Sequence, residues 1–80
     1  MKIKVLYFGM IAEVIGHDIE IIEISNKNST VNELIKLLQA KFPKLEDMSF
    51  KVALNQSIVE ENTKIGLNDE VAILPPFAGG

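Results

Sequence analysis

An α+β domain, a mixed sheet packed against one main helix, is predicted by three features of this 80-residue sequence. Apolar residues recur at period two in several short segments but at helical period along only one long stretch, Val31 to Phe42. A chain of this length holds one domain and buries only about 60% of the surface its unfolded form exposes, so one helix layer on one sheet is an economical core. Hydrophobic residues make up 48% of the sequence and no low-complexity tract interrupts them, which places the chain among proteins that fold.

Lys2 to Phe8 opens the domain as a strand. Ile3, Val5 and Tyr7 alternate with Lys2, Lys4, Leu6 and Phe8, a pattern that begins half exposed and ends apolar on both faces, as a central strand does. Gly9 breaks it, and Met10 to Ile15 fits a short helical turn closed by Gly16. Ile19 to Ile24 is extended again. Its alternation slips between Ile21 and Ile22, which reads either as a bulge or as two partly covered faces. After a polar loop from Ser25 to Ser29, Thr30 as N-cap with Glu33 three residues on forms a capping box. Val31, Leu34, Ile35, Leu38 and Phe42 line one helical face, while Asn32, Glu33, Lys36, Gln39 and Lys41 fall largely on the other. Pro43 ends the helix, because it has no N–H to donate and restricts the residue before it.

Following a Lys44–Ser49 connection, Phe50, Val52 and Leu54 alternate with Lys51, Ala53 and Asn55 in a third strand. Asn55-Gln56-Ser57 is a turn, Ile58-Val59 a short edge strand, and Glu60 to Asn68 a polar crossing pinned by Ile65 and Leu67. Glu70 to Leu74 is the last strand. Its Val71-Ala72-Ile73-Leu74 run lacks polar alternation, the mark of a strand covered on both faces or lying inside the sheet. Pro75 stops the pairing. A crossover that contains the helix sets its flanking strands parallel, and the natural arrangement is a β-grasp, a sheet wrapped around the helix. The domain spans residues 1–74 and a C-terminal tail residues 75–80.

Several function classes are excluded. There is no cysteine, hence no disulfide framework, thiolate metal site or cysteine nucleophile. All eight basic residues are lysine, against eleven acids for a net charge of −3, which disfavours nucleic acid, where arginine supplies the commonest base contact. The longest apolar-or-glycine run, Val5 to Ala12, falls far short of the roughly 18 residues of a membrane span, and no signal-peptide cleavage site follows. A cytoplasmic location is expected. His17 is the only histidine and has no second ligand nearby to complete a zinc site; Glu46-Asp47 and Glu60-Glu61 read as solvated loop charges, and Met10 and Met48 as gap fillers. No self-contained active site emerges. The excess negative charge lies in residues 44–80, as an acidic face that steers a basic partner or as an ordinary solvated surface.

The tail is the one feature suited to chemistry. Pro75 and Pro76 stiffen the exit from the last strand, and Phe77 offers an anchor to a partner or, alternatively, a plug folded back on its own sheet. Gly79 and Gly80 have no side chain to block entry into a narrow pocket, and the Gly80 carboxyl is a handle for activation. Six residues from Pro75 through Ala78 to Gly80 extend at most about 20 Å, enough to reach into a neighbouring protein.

The run from Asp69 through Val71-Ala72-Ile73-Leu74-Pro75-Pro76-Phe77-Ala78 to Gly80 resembles the C-terminal signature of the small, sulfur-carrying subunits of molybdopterin synthase, a ubiquitin-like β-grasp family. The resemblance extends to Val5-Leu6-Tyr7-Phe8, Glu13-Val14-Ile15-Gly16, Thr30-Val31 and Ala53-Leu54-Asn55. The chain departs from the family at Ala12, where members often carry a basic residue, and at Asn68, where they often carry glycine.

The resemblance implies a carrier with no cofactor of its own. An adenylating, ubiquitin-activating-like enzyme consumes ATP to form a glycyl adenylate at Gly80, and a sulfur donor protein converts it to a thiocarboxylate. Pro75, Pro76, Phe77, Ala78 and Gly79 are then the residues that insert into the molybdopterin synthase large subunit, in a heterotetramer of two small and two large chains. There the sulfur passes to cyclic pyranopterin monophosphate in molybdenum cofactor biosynthesis. Two other readings stand beside this one: another β-grasp carrier or modifier, serving thiamine or tRNA thiolation or protein conjugation, and a ubiquitin-like binding module without tail chemistry.

Overall fold

The structure, a computed structural model, describes residues 1–24 and 29–76; Ser25 to Asn28 and Phe77 to Gly80 lie outside the described residues. Strand β1 (Lys2–Tyr7) leads into a short helix α1 (Gly9–Ile15), strand β2 (Ile19–Glu23), the main helix α2 (Val31–Lys41) and a 3₁₀ helix (Pro43–Asp47). Strands β3 (Lys51–Leu54), β4 (Ser57–Ile58) and β5 (Glu70–Leu74) complete a five-stranded sheet in the order β2-β1-β5-β3-β4. β1 and β5 run parallel, and the other pairs are antiparallel. The flanking strands of α2, β2 and β3, therefore point the same way, as expected of a β-grasp.

The expected strand alternation sorts the two sheet faces. Ile3, Val5 and Tyr7 of β1, Val71 and Ile73 of β5 and Val52 of β3 point into the core, which they share with Val31, Leu34, Ile35 and Leu38 of α2. Ile11 and Ile15 of α1, Leu45 of the 3₁₀ helix and Ile65 of the crossing segment join the same cluster. Ile65 pins that segment as expected. Leu67 does not: it is 73% exposed.

The slip in β2 is not a bulge, since Ile19 to Glu23 pair one-to-one with Leu6 to Lys2. Its cause is an inward carboxylate: Glu20 faces the core side with buried Ile22, while Ile19 and Ile21 face outward and are 54% and 58% exposed. α1 begins at Gly9 itself and ends on Gly16, whose φ of 89° supplies the left-handed cap through an N–H bond to the Ala12 carbonyl.

The start of α2 accounts for each of its free amides. The Thr30 N–H donates to Glu33 Oε1 and the Glu33 N–H to Thr30 Oγ1, the predicted capping box. The Val31 N–H donates to the Thr63 carbonyl at 2.9 Å and the Asn32 N–H to the Glu61 carbonyl at 2.8 Å. The crossing segment is thus stitched to the helix end, with Thr30 and Lys64 forming an isolated antiparallel bridge. Pro43 ends α2 and begins the 3₁₀ helix, so the expected irregular connection is partly ordered.

Thr30→Ala removes one of these acceptors and is expected to lower the unfolding free energy by about 1 kcal/mol in urea titration, without changing the slope. A loss of no more than a few tenths would assign the helix start to the Glu61 and Thr63 carbonyls instead.

Candidate functional site

The tail leaves the domain from the middle of the sheet. Pro75 follows β5, whose neighbours are β1 and β3, and the Phe8 N–H donates to the Ile73 carbonyl at 3.2 Å as the last tie between β1 and β5. Gly9, at φ +57°, turns the chain away immediately beside the exit. A Cβ on Gly9 would stand 2.9 Å from Pro75 Cγ, so the backbone of the turn lies directly against the proline ring. Pro75 and Pro76 are the tail residues within the described part. Phe77, Ala78, Gly79 and Gly80, named from sequence as insertion and reaction residues, lie outside the described residues.

The outer sheet face, away from α2, carries an apolar row in register across all five strands. Ile19 stands opposite Leu6, Leu6 opposite Ala72, Ala72 opposite Ala53, and Ala53 opposite Ile58. Phe8, 44% exposed, and Leu74 extend the row toward the tail base. A shallow concavity of about 530 Å³ over this face is lined by both, together with Leu6, Ala53, Ile58 and Ala72. Charges sit at its margins: Lys51 opposite Leu74 on one side, and the exposed Lys4–Glu70 ion pair at 3.7 Å on the other. An apolar face of this kind, rimmed by polar groups, is the usual form of a protein-binding surface.

Behind the row, Tyr7 is buried and its hydroxyl donates to Glu20 Oε1 at 2.8 Å. Lys41 donates to Glu20 Oε2 at 2.6 Å and lies 5.5 Å from the centre of the Phe42 ring, which meets Tyr7 edge to face at 6.4 Å. This network ties the end of α2 to β1 and β2. Burial pushes the Tyr7 phenol well above its ordinary range, and the hydrogen bond and negative charge of Glu20 push it further. For Glu20, burial alone would raise the carboxyl; the hydrogen bonds from Lys41 and Tyr7 and the charges of Lys41 and His17 together outweigh it and hold the group low.

A second network shapes the entry to β5. The Asn55 side chain donates to Asp69 Oδ1 and accepts from the Glu70 N–H, and Asp69 Oδ2 accepts from the Gly66 N–H. Asn68, where the resembling family often has glycine, takes φ +69°, a left-handed conformation that asparagine tolerates better than most residues. The turn that glycine would make is therefore kept. Asn55 and Gln56, both at positive φ, form the tight β3–β4 turn.

Of the two aromatics at the end of β1, Tyr7 belongs to the core and Phe8 to the outer face. Met48 packs partly buried against the core, but Met10, expected as a gap filler, is 62% exposed. His17 is exposed, and among the described residues no group of three or more His, Cys, Asp or Glu could hold a metal ion. No helix of the described residues is long and apolar enough to cross a membrane. Sequence reasoning missed the row formed by Ile19, Leu6, Ala72, Ala53 and Ile58, because its members lie on five strands. The available signals were the unalternated run of β5 and the outward isoleucines of β2.

The profile of the ThiS family matches residues 5–80. The molybdopterin synthase sulfur carrier subunit of Mycobacterium tuberculosis is 40% identical over 83 aligned positions that cover 100% of this chain and 99% of the relative. Among solved structures, a Pyrococcus furiosus protein named for molybdopterin converting factor subunit 1 superposes with a TM-score of 0.86 at 26% identity, over 95% of this chain and 98% of the other. A second similar chain, at TM-score 0.68 and 29% identity over 100% of both chains, comes from a complex of subunits 1 and 2 of the molybdopterin-converting factor of Helicobacter pylori.

Two measurements check this geometry. Tyr7 is the only tyrosine and there is no tryptophan, so tyrosinate absorbance reports on it alone. Because its folded pKa is raised, the stability it lends is fully present below the unfolded value of about 10 and is lost as pH rises above it; absorbance should therefore appear only above that value and together with unfolding. A titration near pH 10 in the folded chain would contradict the buried Tyr7–Glu20 bond. Gly9→Ala should destabilise the domain by about 1–2 kcal/mol from its left-handed backbone alone, with the Pro75 clash in addition. Unchanged denaturation would mean that the tail base does not rest on Gly9.

Proposed function

The chain belongs to the ThiS family, among the relatives of molybdopterin synthase sulfur carrier subunits, and on that premise we propose that it carries sulfur on the carboxyl of Gly80. The observation that supports this reading best is the run Pro75-Pro76-Phe77-Ala78-Gly79-Gly80, issuing from a central strand beside an apolar docking face. A carboxylate is a poor acyl donor. A partner adenylating enzyme therefore consumes ATP, releases pyrophosphate and leaves Gly80 as an acyl adenylate; the chain itself holds no nucleotide or metal. The outer sulfur of a persulfide on a donor protein attacks the acyl carbon and AMP departs; a thiol then cleaves the resulting acyl disulfide and is left in a disulfide with the donor, so one carboxyl oxygen has been replaced by sulfur. Gly80 suits this chemistry because nothing branches beside the attacked carbon, and Gly79 lets the chain pass a narrow channel.

The receiving partner is the large subunit of molybdopterin synthase, the chain that corresponds to subunit 2 in the Helicobacter pylori complex. Its site takes the extended tail and passes the sulfur to cyclic pyranopterin monophosphate, and two such transfers complete a dithiolene. The row from Ile19 to Ile58, continued by Phe8 and Leu74, holds the carrier on the partner while the tail reaches inward, in an assembly of two small and two large chains. Pro75 and Pro76 reduce the conformational freedom lost on insertion, and Phe77 anchors the inserted segment. The work takes place in the cytoplasm.

Intact-mass spectrometry tests the carrier role. After incubation with ATP, the activating enzyme and a sulfur donor, the chain is expected to gain the mass difference between sulfur and oxygen, localised by fragmentation to Gly80. Deletion of Gly80 should abolish both this gain and the conversion of the pterin precursor by the assembled synthase. Undiminished conversion by the deletion variant would rule out tail chemistry and leave a binding module.

A further inference from the structure

Strand β2 is a free edge of the sheet: it pairs with β1 on one side and, among the described residues, with no strand on the other. The Tyr7 N–H donates to the Asp18 carbonyl and the Ile24 N–H to the Met1 carbonyl. By the alternation of an antiparallel ladder, Glu20 and Ile22 therefore turn their backbone groups toward β1, while Ile19, Ile21 and Glu23 turn theirs outward. The side chains of those same three residues are exposed. The docking row accounts for Ile19 but not for Ile21, which is 58% exposed on the outer face opposite Lys4.

The devices that commonly keep a sheet edge unpaired are missing here. β2 has five residues against two in β4, contains neither proline nor lysine, and pairs one-to-one with β1 without a bulge. Its inward carboxylate, Glu20, is bound on the core side by Tyr7 and Lys41 and so does not guard the edge.

We propose that β2 pairs antiparallel with β2 of a second copy of this chain, about a two-fold axis at Ile21. In that register Ile21 stands opposite Ile21 of the second copy and Ile19 opposite its Glu23, so each outward N–H and C=O of the strand meets its complement and none is left over. This even placement of Ile19 and Glu23 about Ile21 is what selects a second copy as the occupant. Charge agrees with it: the two Glu23 carboxylates fall at opposite ends of the pair, each facing an isoleucine, and no like charges stand opposite one another. Ile19 and Ile21 of both copies then form one apolar cluster on the outer face, because diagonal neighbours also lie within reach across a strand pair. An interface built on one strand pair is at the low end of interface sizes, so the dimer is weak and forms at high protein concentration.

The pairing is independent of sulfur transfer and is tested on the full, unmodified chain. In sedimentation velocity from micromolar to millimolar protein, the mean mass is expected to rise from 8.9 kDa toward twice that value. Ile21→Lys, at an exposed position, sets two ammonium groups across the axis and should weaken the dimer by about tenfold or more, with the helix content seen by circular dichroism unchanged. In NMR spectra of labelled chain mixed with unlabelled chain, intermolecular contacts are expected between the Hα of Glu20 and the Hα of Ile22, the close, non-hydrogen-bonded pair of this register. A chain that stays monomeric at millimolar concentration would overturn the proposal, as would a dimer that Ile21→Lys leaves unweakened. Intermolecular contacts among Leu6, Phe8 and Ala72 in place of the Glu20–Ile22 pair would put the dimer on the outer face. Slowed exchange of the Ile21 N–H only when the large synthase subunit is added would give the edge to that partner, and either result also overturns the second copy as occupant.

Discussion

The first and last strands of the domain lie side by side and parallel in the middle of the sheet, Val5 opposite Val71 and Tyr7 opposite Ile73, and the remaining elements are arranged around that pairing. Parallel strands need a long connection, and here the connection is the rest of the domain: both α-helices, the 3₁₀ helix, strands β2, β3 and β4 and the crossing segment. Parallel direction also brings the two C-terminal strand ends together. Phe8 and Gly9 therefore stand beside Pro75, and the tail departs from the best-supported strand, not from a loose edge. An antiparallel pairing of the same two strands would have sent the tail to the opposite end of β1.

That pairing also separates two surfaces with opposite uses. The inner face of the sheet is closed by α2, whose start is held by the capping box and by the carbonyls of Glu61 and Thr63, and whose end is held by the Lys41–Glu20–Tyr7 network. Among the described residues, no buried side-chain polar atom lacks a partner. The outer face remains open beside the tail base, with Ile19 and Ile58 exposed at the two ends of the row, Leu6 and Ala72 partly exposed and Ala53 buried between them. The proposed docking rests on that contrast, an apolar face left open beside a core whose polar groups are satisfied. In the proposed function, association and delivery are coupled by distance alone, because the row and the tail base share strand β5.

Much of this was legible locally. The helix could be read from Thr30, Glu33 and the Val31–Phe42 stripe, because capping and amphipathicity act within a few residues of chain. β1, β3 and β5 could be read from their alternation, and the exit from Pro75 and Pro76. Glu20 explains where local reading stopped. Its inward carboxylate breaks the alternation of β2, and it is tolerated there because Tyr7, thirteen residues away, and Lys41, twenty-one away, bind it. Met10 and Leu67 were assigned to the interior on their chemistry, yet both are exposed, because apolar character does not say which side of an element meets the core.

By itself the sequence determined the main elements, the β-grasp class and the tail proposed to react, since periodicity, caps, prolines and a diglycine are written in consecutive residues. The family relationship rests on the same consecutive signals. Only the tertiary structure decided which face of the sheet stays open, how Leu6, Ala72, Ala53 and Ile58 line up across strands, and why Gly9 must lie against Pro75. The reason is that register and strand order come from pairings between residues far apart in the chain. No run of neighbouring residues encodes them.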